Sequence, residues 1–465
     1  MSTSLVDAPG TFRPMLRLTL PVLVEQMLHL LVGFVDLWLT GNFLPGEAYV
    51  AAMTLMIYTL WLVGNVFGFV AIGSMAMVAR FAGAGDRVMV NRVMNQSILT
   101  GLAWAAVLMA ATLPLAGFFP TLMGLEGTAA AAAQRYLTIE LCVLPAIMVE
   151  RVAVACLRGA GDMVSGLVTM TIVNAINMVA SYALARGLGP LPELGWTGIA
   201  LGTAIGHVCG ALILLALLAG GRAGFSLRLR DMRPDNELIR RILRIGIPGG
   251  LDVIMVSVCH LIYLRIVLSL GDVAAAAHGI AIQVEALGYM PGGAFQISAA
   301  TLAGQYLGAR DLVRARRSVV MACAVASAIM VAAGAVFYVA ATPLAAFFLG
   351  NRPSEVVPLA ALLLRIVAFA MLPLAINMVL VGALRGAGDT RWPLVLNLLG
   401  IVLLRVPLAI FLAHDEIYLP LVGVTLQGAG YGVVGAWCAA VVDIVARCVL
   451  IMARFRHDAW QRIEV

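Results

Sequence analysis

The chain has no lysine, and only 12% of its 465 residues are charged. With 62% hydrophobic residues and a mean hydropathy of +1.00, it lies well outside the roughly half-apolar composition of soluble domains, so a soluble globule is excluded. Its seven cysteines all sit in apolar runs without CxxC spacing, which argues against a disulfide framework or a zinc site. P-loop, dinucleotide-turn, HExxH and nucleophile-elbow patterns are missing from any fitting context, so neither an enzyme nor a bound metal or cofactor is indicated. The net charge of +6 gives no reason to expect a nucleic-acid partner, because the 30 basic residues, all arginine, are sorted by topology.

What remains is a series of long apolar stretches. Twelve can be read, at roughly 16–41, 52–79, 93–116, 136–157, 163–186, 196–219, 243–270, 277–303, 317–341, 359–384, 392–413 and 431–453. Each is long enough for a helix across about 30 Å of hydrocarbon, and lipid permits no open backbone alternative. Arg135, Arg186 and Arg352 fall on one side and Arg151, Arg265, Arg365, Arg405 and Arg447 fall within spans. All other arginines fall on the second side, which the positive-inside rule makes cytoplasmic. An even count then puts both termini in the cytoplasm of a cell whose inner membrane the chain crosses. The first fifteen residues lack a basic n-region and a cleavage site, so the first stretch is read as a retained span.

The long polar connection divides the chain into a tail (1–15), a first six-helix lobe (16–221), a linker (222–242), a second lobe (243–453) and a closing tail (454–465). The lobes repeat one another. Leu157-Arg158-Gly159-Ala160-Gly161-Asp162 returns identically as Leu384-Arg385-Gly386-Ala387-Gly388-Asp389, and Leu16-Arg17-Leu18-Thr19-Leu20-Pro21 returns as Leu243-Arg244-Ile245-Gly246-Ile247-Pro248, both at an offset of 227. Six spans per unit give the copies one orientation, related by a pseudo-twofold axis along the membrane normal, with a cavity between two bundles. The fold class expected is an all-α integral membrane protein.

The stretch from Leu16 to Asn42 carries Glu25, His29 and Asp36 inside an otherwise apolar span. A carboxylate near the bilayer centre costs roughly 3 kcal/mol on insertion scales, so such residues are functional candidates. At 100° per residue they share one stripe of the helix. The offset maps Glu25 onto Asp252 but Asp36 onto Tyr263, which gives the first lobe an ion site of its own. Asn177 and Ser181 on the fifth span and Thr203 and His207 on the sixth could join Asp36, or simply hydrogen-bond between helices. In the second half Asp252, His260, Tyr263, Gln283 and Glu285 are scattered polar groups. With Glu25 and His29 they are the candidate lining of a substrate cavity, the carboxylates serving as anchors for a positive charge. Arg158 and Arg385 are expected to meet helix-terminal carbonyls or Asp162 and Asp389. Asp443 and Arg447 are spaced for an intrahelical ion pair. Among the span-interrupting prolines, Pro21 and Pro248 are the best hinge candidates, being placed alike in the two leading helices.

Pro21 ahead of Gly33-Phe34-Val35-Asp36, the duplicated Leu-Arg-Gly-Ala-Gly-Asp, and Met290-Pro291-Gly292 leading to Leu302-Ala303-Gly304-Gln305-Tyr306-Leu307-Gly308-Ala309 resemble the multidrug and toxic compound extrusion (MATE) family in its prokaryotic form. The resemblance implies a twelve-helix exporter that drives small organic cations or amphiphiles outward in exchange for protons or sodium ions. It also implies that Asp36 couples the cation and that Pro21 bends its helix. Two departures stand out: Ser181 occupies a position where some members carry an aspartate, and Val256 one where others carry an acid. A single desolvated carboxylate suits a proton better than sodium, which prefers several converging oxygens. No further cofactor is expected, and the protein is read as a monomer in the bilayer. The rival reading is a flippase of related fold for lipids or lipid-linked oligosaccharides, which would use Arg151, Arg265, Arg365 and Arg405 to hold phosphate.

Overall fold

The computed structural model describes residues 10–44, 47–66, 68–349, 355–419 and 424–463, nearly all of them helical. The first half runs α1 (Phe12–Phe43), α2 (Glu47–Val66), α3 (Gly68–Gly83), α4 (Arg87–Thr112), α5 (Phe118–Leu122), α6 (Gly127–Cys142), α7 (Leu144–Gly159), α8 (Met163–Arg186) and α9 (Trp196–Ala219). The second runs α10 (Asn236–Leu268), α11 (Asp272–Gly308), α12 (Leu312–Val339), α13 (Ala341–Leu349), α14 (Val356–Ala368), α15 (Met371–Gly386), α16 (Arg391–Asn397), α17 (Val406–Ala413) and α18 (Gly432–Arg456). A small antiparallel hairpin, Glu416–Leu419 against Val424–Gln427, precedes α18. Among the described residues nine helical stretches are long and apolar enough to cross a bilayer, and α14 with α15 forms another, bent by 54°. With α2–α3 and α6–α7 each taken as one crossing, the architecture is consistent with twelve.

Two spans expected to be continuous are interrupted among the described residues, and proline accounts for both. Pro145 opens α7 after the break at Val143, and Pro373 lies in the first turn of α15. Each sits where a missing N–H is least costly. Pro21, Pro248 and Pro291 instead remain inside α1, α10 and α11. Leu20, Phe34, Leu212, Leu287 and Phe369 are exposed on the outside of the bundle, a surface suited to lipid.

Two hydrophobic cores form, one per lobe, and the leading helices exchange partners between them. Met15, Leu18 and Val22 of α1 belong to the second core with Phe295, Tyr306 and Met371, while Leu238, Ile242 and Ile245 of α10 belong to the first with Met77, Met94 and Met148. Pro21 and Pro248 therefore stand where each leading helix passes from the other lobe's core to its own. Lipid supplies no hydrophobic drive between helices, so association relies on close packing over small residues. A Cβ on Gly73 would overlap the Ile242 carbonyl, and one on Gly246 the Phe69 carbonyl, so α3 and α10 cross backbone to backbone.

The repeated Gly-rich segments are helix reversals at the arginine-rich end, hereafter the basic end. Gly85, Gly161 and Gly388 adopt φ of 74°, 89° and 91°, and Arg310 takes the same left-handed position at 60°. In each turn the following aspartate N–H closes back on the carbonyl five residues earlier, as from Asp162 to Leu157 at 2.8 Å and from Asp389 to Leu384 at 2.8 Å. Asp86, Asp162 and Asp311 then cap α4, α8 and α12. Burial would push the Asp162 carboxyl up, but bonds from Arg222 and Ser165 outweigh it and hold the group below the usual carboxylate range. The linker is docked rather than loose. Gln96 Nε2 donates to the Asp231 and Arg233 carbonyls at 2.8 Å each, its Oε1 accepts from Asp235 N at 3.0 Å, and Asn95 holds Ser226 and Arg228. The lobes are joined at the basic end, where Thr19 bonds Ser298, Thr301 bonds the Arg158 carbonyl and Gln305 bonds the Gly159 carbonyl.

Candidate functional site

Asp36, buried in the first lobe near the end of α1 opposite the basic end, accepts at Oδ2 from Thr203 Oγ1 at 2.9 Å and from Tyr136 OH at 3.1 Å. Asn177 Nδ2 donates to the same Thr203 hydroxyl at 2.9 Å, and more distantly to Ser181 Oγ at 3.4 Å. The cluster exists because α8 and α9 nearly touch: a Cβ on Gly202 would overlap Ser181. All four residues expected around the cation are thus brought together. Ser181 takes part only through Asn177, since its own hydroxyl donates to the Ile199 carbonyl at 3.2 Å. Asp36 Oδ1 and Asn177 Oδ1 are buried without a partner among the described residues.

Tyr136 and Glu140, both on α6, were not singled out from the sequence. Glu140 is only 1% exposed, and neither of its oxygens has a partner among the described residues. The signal that marked Asp36, an acid inside an apolar span, applies equally to it. One turn beyond Thr203 on α9, His207 Nδ1 lies 2.8 Å from Glu150 Oε2.

Glu25 and Asp252 have partners other than those expected. Arg158 Nη2 lies 2.9 Å from Glu25 Oε2, and Arg385 Nη2 lies 2.6 Å from Asp252 Oδ2. Both pairs therefore obey the internal repeat. The arginines do not go to the neighbouring aspartates, because Asp162 is taken by Arg222 and Asp389 by Arg454. With their charges met by guanidinium groups, Glu25 and Asp252 are not the free anchors for a positive charge that the sequence suggested.

A cavity of about 240 Å³ lies between the lobes. Glu25, Glu150, Arg151, Arg158, His207 and Arg385 line it together with Ala71, Ile72, Met75, Met170 and Ile297. Of the remaining expected lining residues, Asp252 is sealed in its ion pair, and His260, Tyr263, Gln283 and Glu285 do not border this cavity. The reason is depth: Gln283 is about 20 Å along α11 from the cavity-lining Gln296 at the helical rise. His260 and Gln283 are exposed, while Tyr263 is buried with Arg405 6.0 Å from its ring centre. The side chain of His29 lies outside the described residues. Of the span-embedded arginines offered as phosphate holders, Arg151 reaches the cavity and Arg265, Arg365 and Arg405 do not.

Arg405 is spent elsewhere. Its Nε meets Asp443 Oδ2 at 2.9 Å, and Arg447 grips the same carboxylate bidentately at 2.8 Å on each side, which includes the expected i,i+4 pair. Asn397 links this group to Asp252, accepting from Arg447 at 2.9 Å and donating to Asp252 at 2.8 Å. A π-helical stretch, Leu398–Arg405, contains Gly400, where a Cβ would overlap Arg447 and Asp443.

The sequence profile of the MatE family matches residues 21–183 and 248–411, one segment in each lobe. The chain belongs to the MatE family. It is 27% identical over 463 residues to a probable multidrug resistance protein NorM of Thermotoga maritima, covering 99% of this chain and 95% of that one. It is 25% identical over 276 residues, 59% of each chain, to the multidrug export protein MepA of Staphylococcus aureus. An outward-facing structure of a multidrug resistance MATE family transporter superimposes with a TM-score of 0.87 at 20% identity, covering 99% and 98% of the two chains. A MATE in a bent conformation does so with a TM-score of 0.87 at 21% identity over 98% of each. At that identity these structures bear on the fold, and they agree with a multi-pass membrane protein of two repeated lobes.

Proposed function

We propose that this MatE protein is a secondary active antiporter that exports amphiphilic drugs or metabolites, organic cations among them, in exchange for protons. The observation that carries the reading is Asp36: a buried carboxylate with one oxygen fixed by Thr203 and Tyr136 and the other left without a partner among the described residues. Such a group can be neutralised by one proton without dismantling its surroundings, whereas sodium asks for several converging oxygens. The drug-export names of the relatives support the substrate class, as does a cavity mixing Met75, Met170 and Ile297 with charged groups. The flippase alternative gains little, because two of the three cavity arginines are already matched by carboxylates.

In the proposed cycle the basic end faces the cytoplasm and the lobes are joined there. Asp36 takes a proton from outside, the polar cluster on α8 and α9 loses its negative centre, and α1 repacks about Pro21. That proline lies where α1 leaves the second lobe's core, so a change of bend is felt by both lobes. Substrate departs and the lobes rock inward. In proteoliposomes, a pH gradient should drive export by the wild type and not by Asp36→Asn, with substrate binding retained. Full proton-coupled export by Asp36→Asn would refute the assignment.

A further inference from the structure

We propose that Glu140 is a second proton-binding carboxylate, the middle station of a route from Asp36 through Glu140 and the His207–Glu150 pair to the central cavity. The route follows from how α6 and α9 run side by side away from Asp36. Tyr136 and Thr203 bond Asp36 directly. Glu140 and His207 each come one turn later on the same two helices, about 6 Å nearer the basic end. His207 in turn shares a 2.8 Å contact with Glu150, and both of these residues border the cavity between the lobes. Three successive layers therefore connect a carboxylate near the far end of α1 to the cavity where substrate would sit.

Glu140 is the unexplained member of this series. It is buried and neither oxygen has a partner among the described residues, so nothing there neutralises it as Arg158 neutralises Glu25. The charges acting on it come from Asp36 on α1 and His207 on α9. Its own helix offers Tyr136 and α7 offers Glu150 and Arg151. α2 contributes Tyr49, which packs on Trp196, and the titratable residues of α4, Arg87 and Arg92, lie at the basic end. An uncompensated buried carboxylate is costly as an anion, and a proton removes that cost.

The transfer conserves charge and needs no other reactant. Protonated Asp36 passes its proton to Glu140, and Glu140 to the Nε2 nitrogen of His207, each across a bridging water that gives up one proton as it takes another; His207 releases the Nδ1 proton to Glu150 Oε2 across their 2.8 Å contact, and Glu150 passes it to water in the cavity. Each step breaks one O–H or N–H bond and forms another.

The proposal rests on proton antiport, and the test separates the two. Purified full-length protein is reconstituted with a pH dye inside the vesicles, and ethidium serves as the probe. If wild type moves ethidium without moving protons, the antiport reading falls by itself. If wild type moves both, Glu140→Gln should bind ethidium as wild type does while proton movement falls by about tenfold or more, and Glu140→Asp should recover part of it. His207→Asn interrupts the same route one layer on and should lower proton movement by a similar factor; since His207 borders the cavity, its proton movement alone, and not its ethidium binding, decides the matter if Glu140→Gln does not fold. Proton movement at the wild-type level in Glu140→Gln, or in His207→Asn where that variant decides, overturns the proposal.

Discussion

Glu25 and Asp252 occupy matching places in the two halves, yet removing them should have unequal consequences. Asp252 is fully buried, with Oδ2 held by Arg385 at 2.6 Å and Oδ1 by Asn397 at 2.8 Å. Asp252→Ala strands both donors, and breaking a buried pair from one side costs about 3–5 kcal/mol. At roughly 2–4 °C per kcal/mol for a unit of this size, the melting temperature should drop on the order of 10 °C. Glu25 is held less tightly. Arg158 Nη2 is near, at 2.9 Å, but Glu25 Oε2 receives no aligned hydrogen bond, and no second donor like Asn397 is seen on Glu25 among the described residues; Arg158 and Arg385 border the cavity alike, so the difference lies in the bonds to the carboxylate. Glu25→Ala should therefore cost about 1–2 kcal/mol, a few degrees. Replacing both members of the second-lobe pair by apolar residues, Asp252→Leu with Arg385→Met, should recover much of the loss, since a buried pair is worth little against good packing. The buried free cysteines Cys156 and Cys448 report unfolding through a thiol-reactive dye in detergent. Equal losses for Glu25→Ala and Asp252→Ala, or a double variant as unstable as Asp252→Ala, would refute this account.

Two further outcomes follow from local geometry. Arg310 holds a left-handed conformation that glycine holds in the three sister turns, at a cost of about 1 kcal/mol for an L side chain, so Arg310→Gly should raise the melting temperature by a few degrees. Gln96 alone fixes three linker backbone groups, each bond worth about 1 kcal/mol, so Gln96→Ala should expose the Arg228–Leu229 bond to trypsin at least several-fold faster than wild type, as read on a gel.

The spans and the two-lobe repeat were legible because lipid forces long apolar helices and duplication leaves identical turns, as at Leu157–Asp162 and Leu384–Asp389. The Asp36 cluster was legible because an acid in an apolar span is costly enough to stand out. Partner choice was harder. Arg158 is expected from its sequence neighbours to meet helix-terminal carbonyls or Asp162, but Gly161 turns the chain so that Asp162 caps α8 and meets Arg222. A contact signal was nonetheless present, because Glu25 with Arg158 and Asp252 with Arg385 recur at one shared offset, as two ends of a contact should. Glu140 was passed over because it lacks a counterpart or a recognisable neighbour in sequence; its meaning comes from α1 and α9 closing around it.

The same comparison separates the roles of the lobes. In the second, Asp252 and Asp443 are both held by guanidinium groups, and Tyr263 stands at the position matching Asp36. Removing the charge of either carboxylate would strand a buried guanidinium. In the first lobe, Asp36 and Glu140 are met by hydroxyl groups or by no described partner, so their charge can change without stranding a cation. Duplication thus supplied two similar frames, and at the matching positions 36 and 263 one keeps a carboxylate met by hydroxyl groups where the other has a tyrosine. On this argument a guanidinium placed beside Asp36, as in Thr203→Arg, should arrest proton coupling even if the protein folds. Coupling that survives in that variant, with the new guanidinium seen against the carboxylate in its structure, would break the argument.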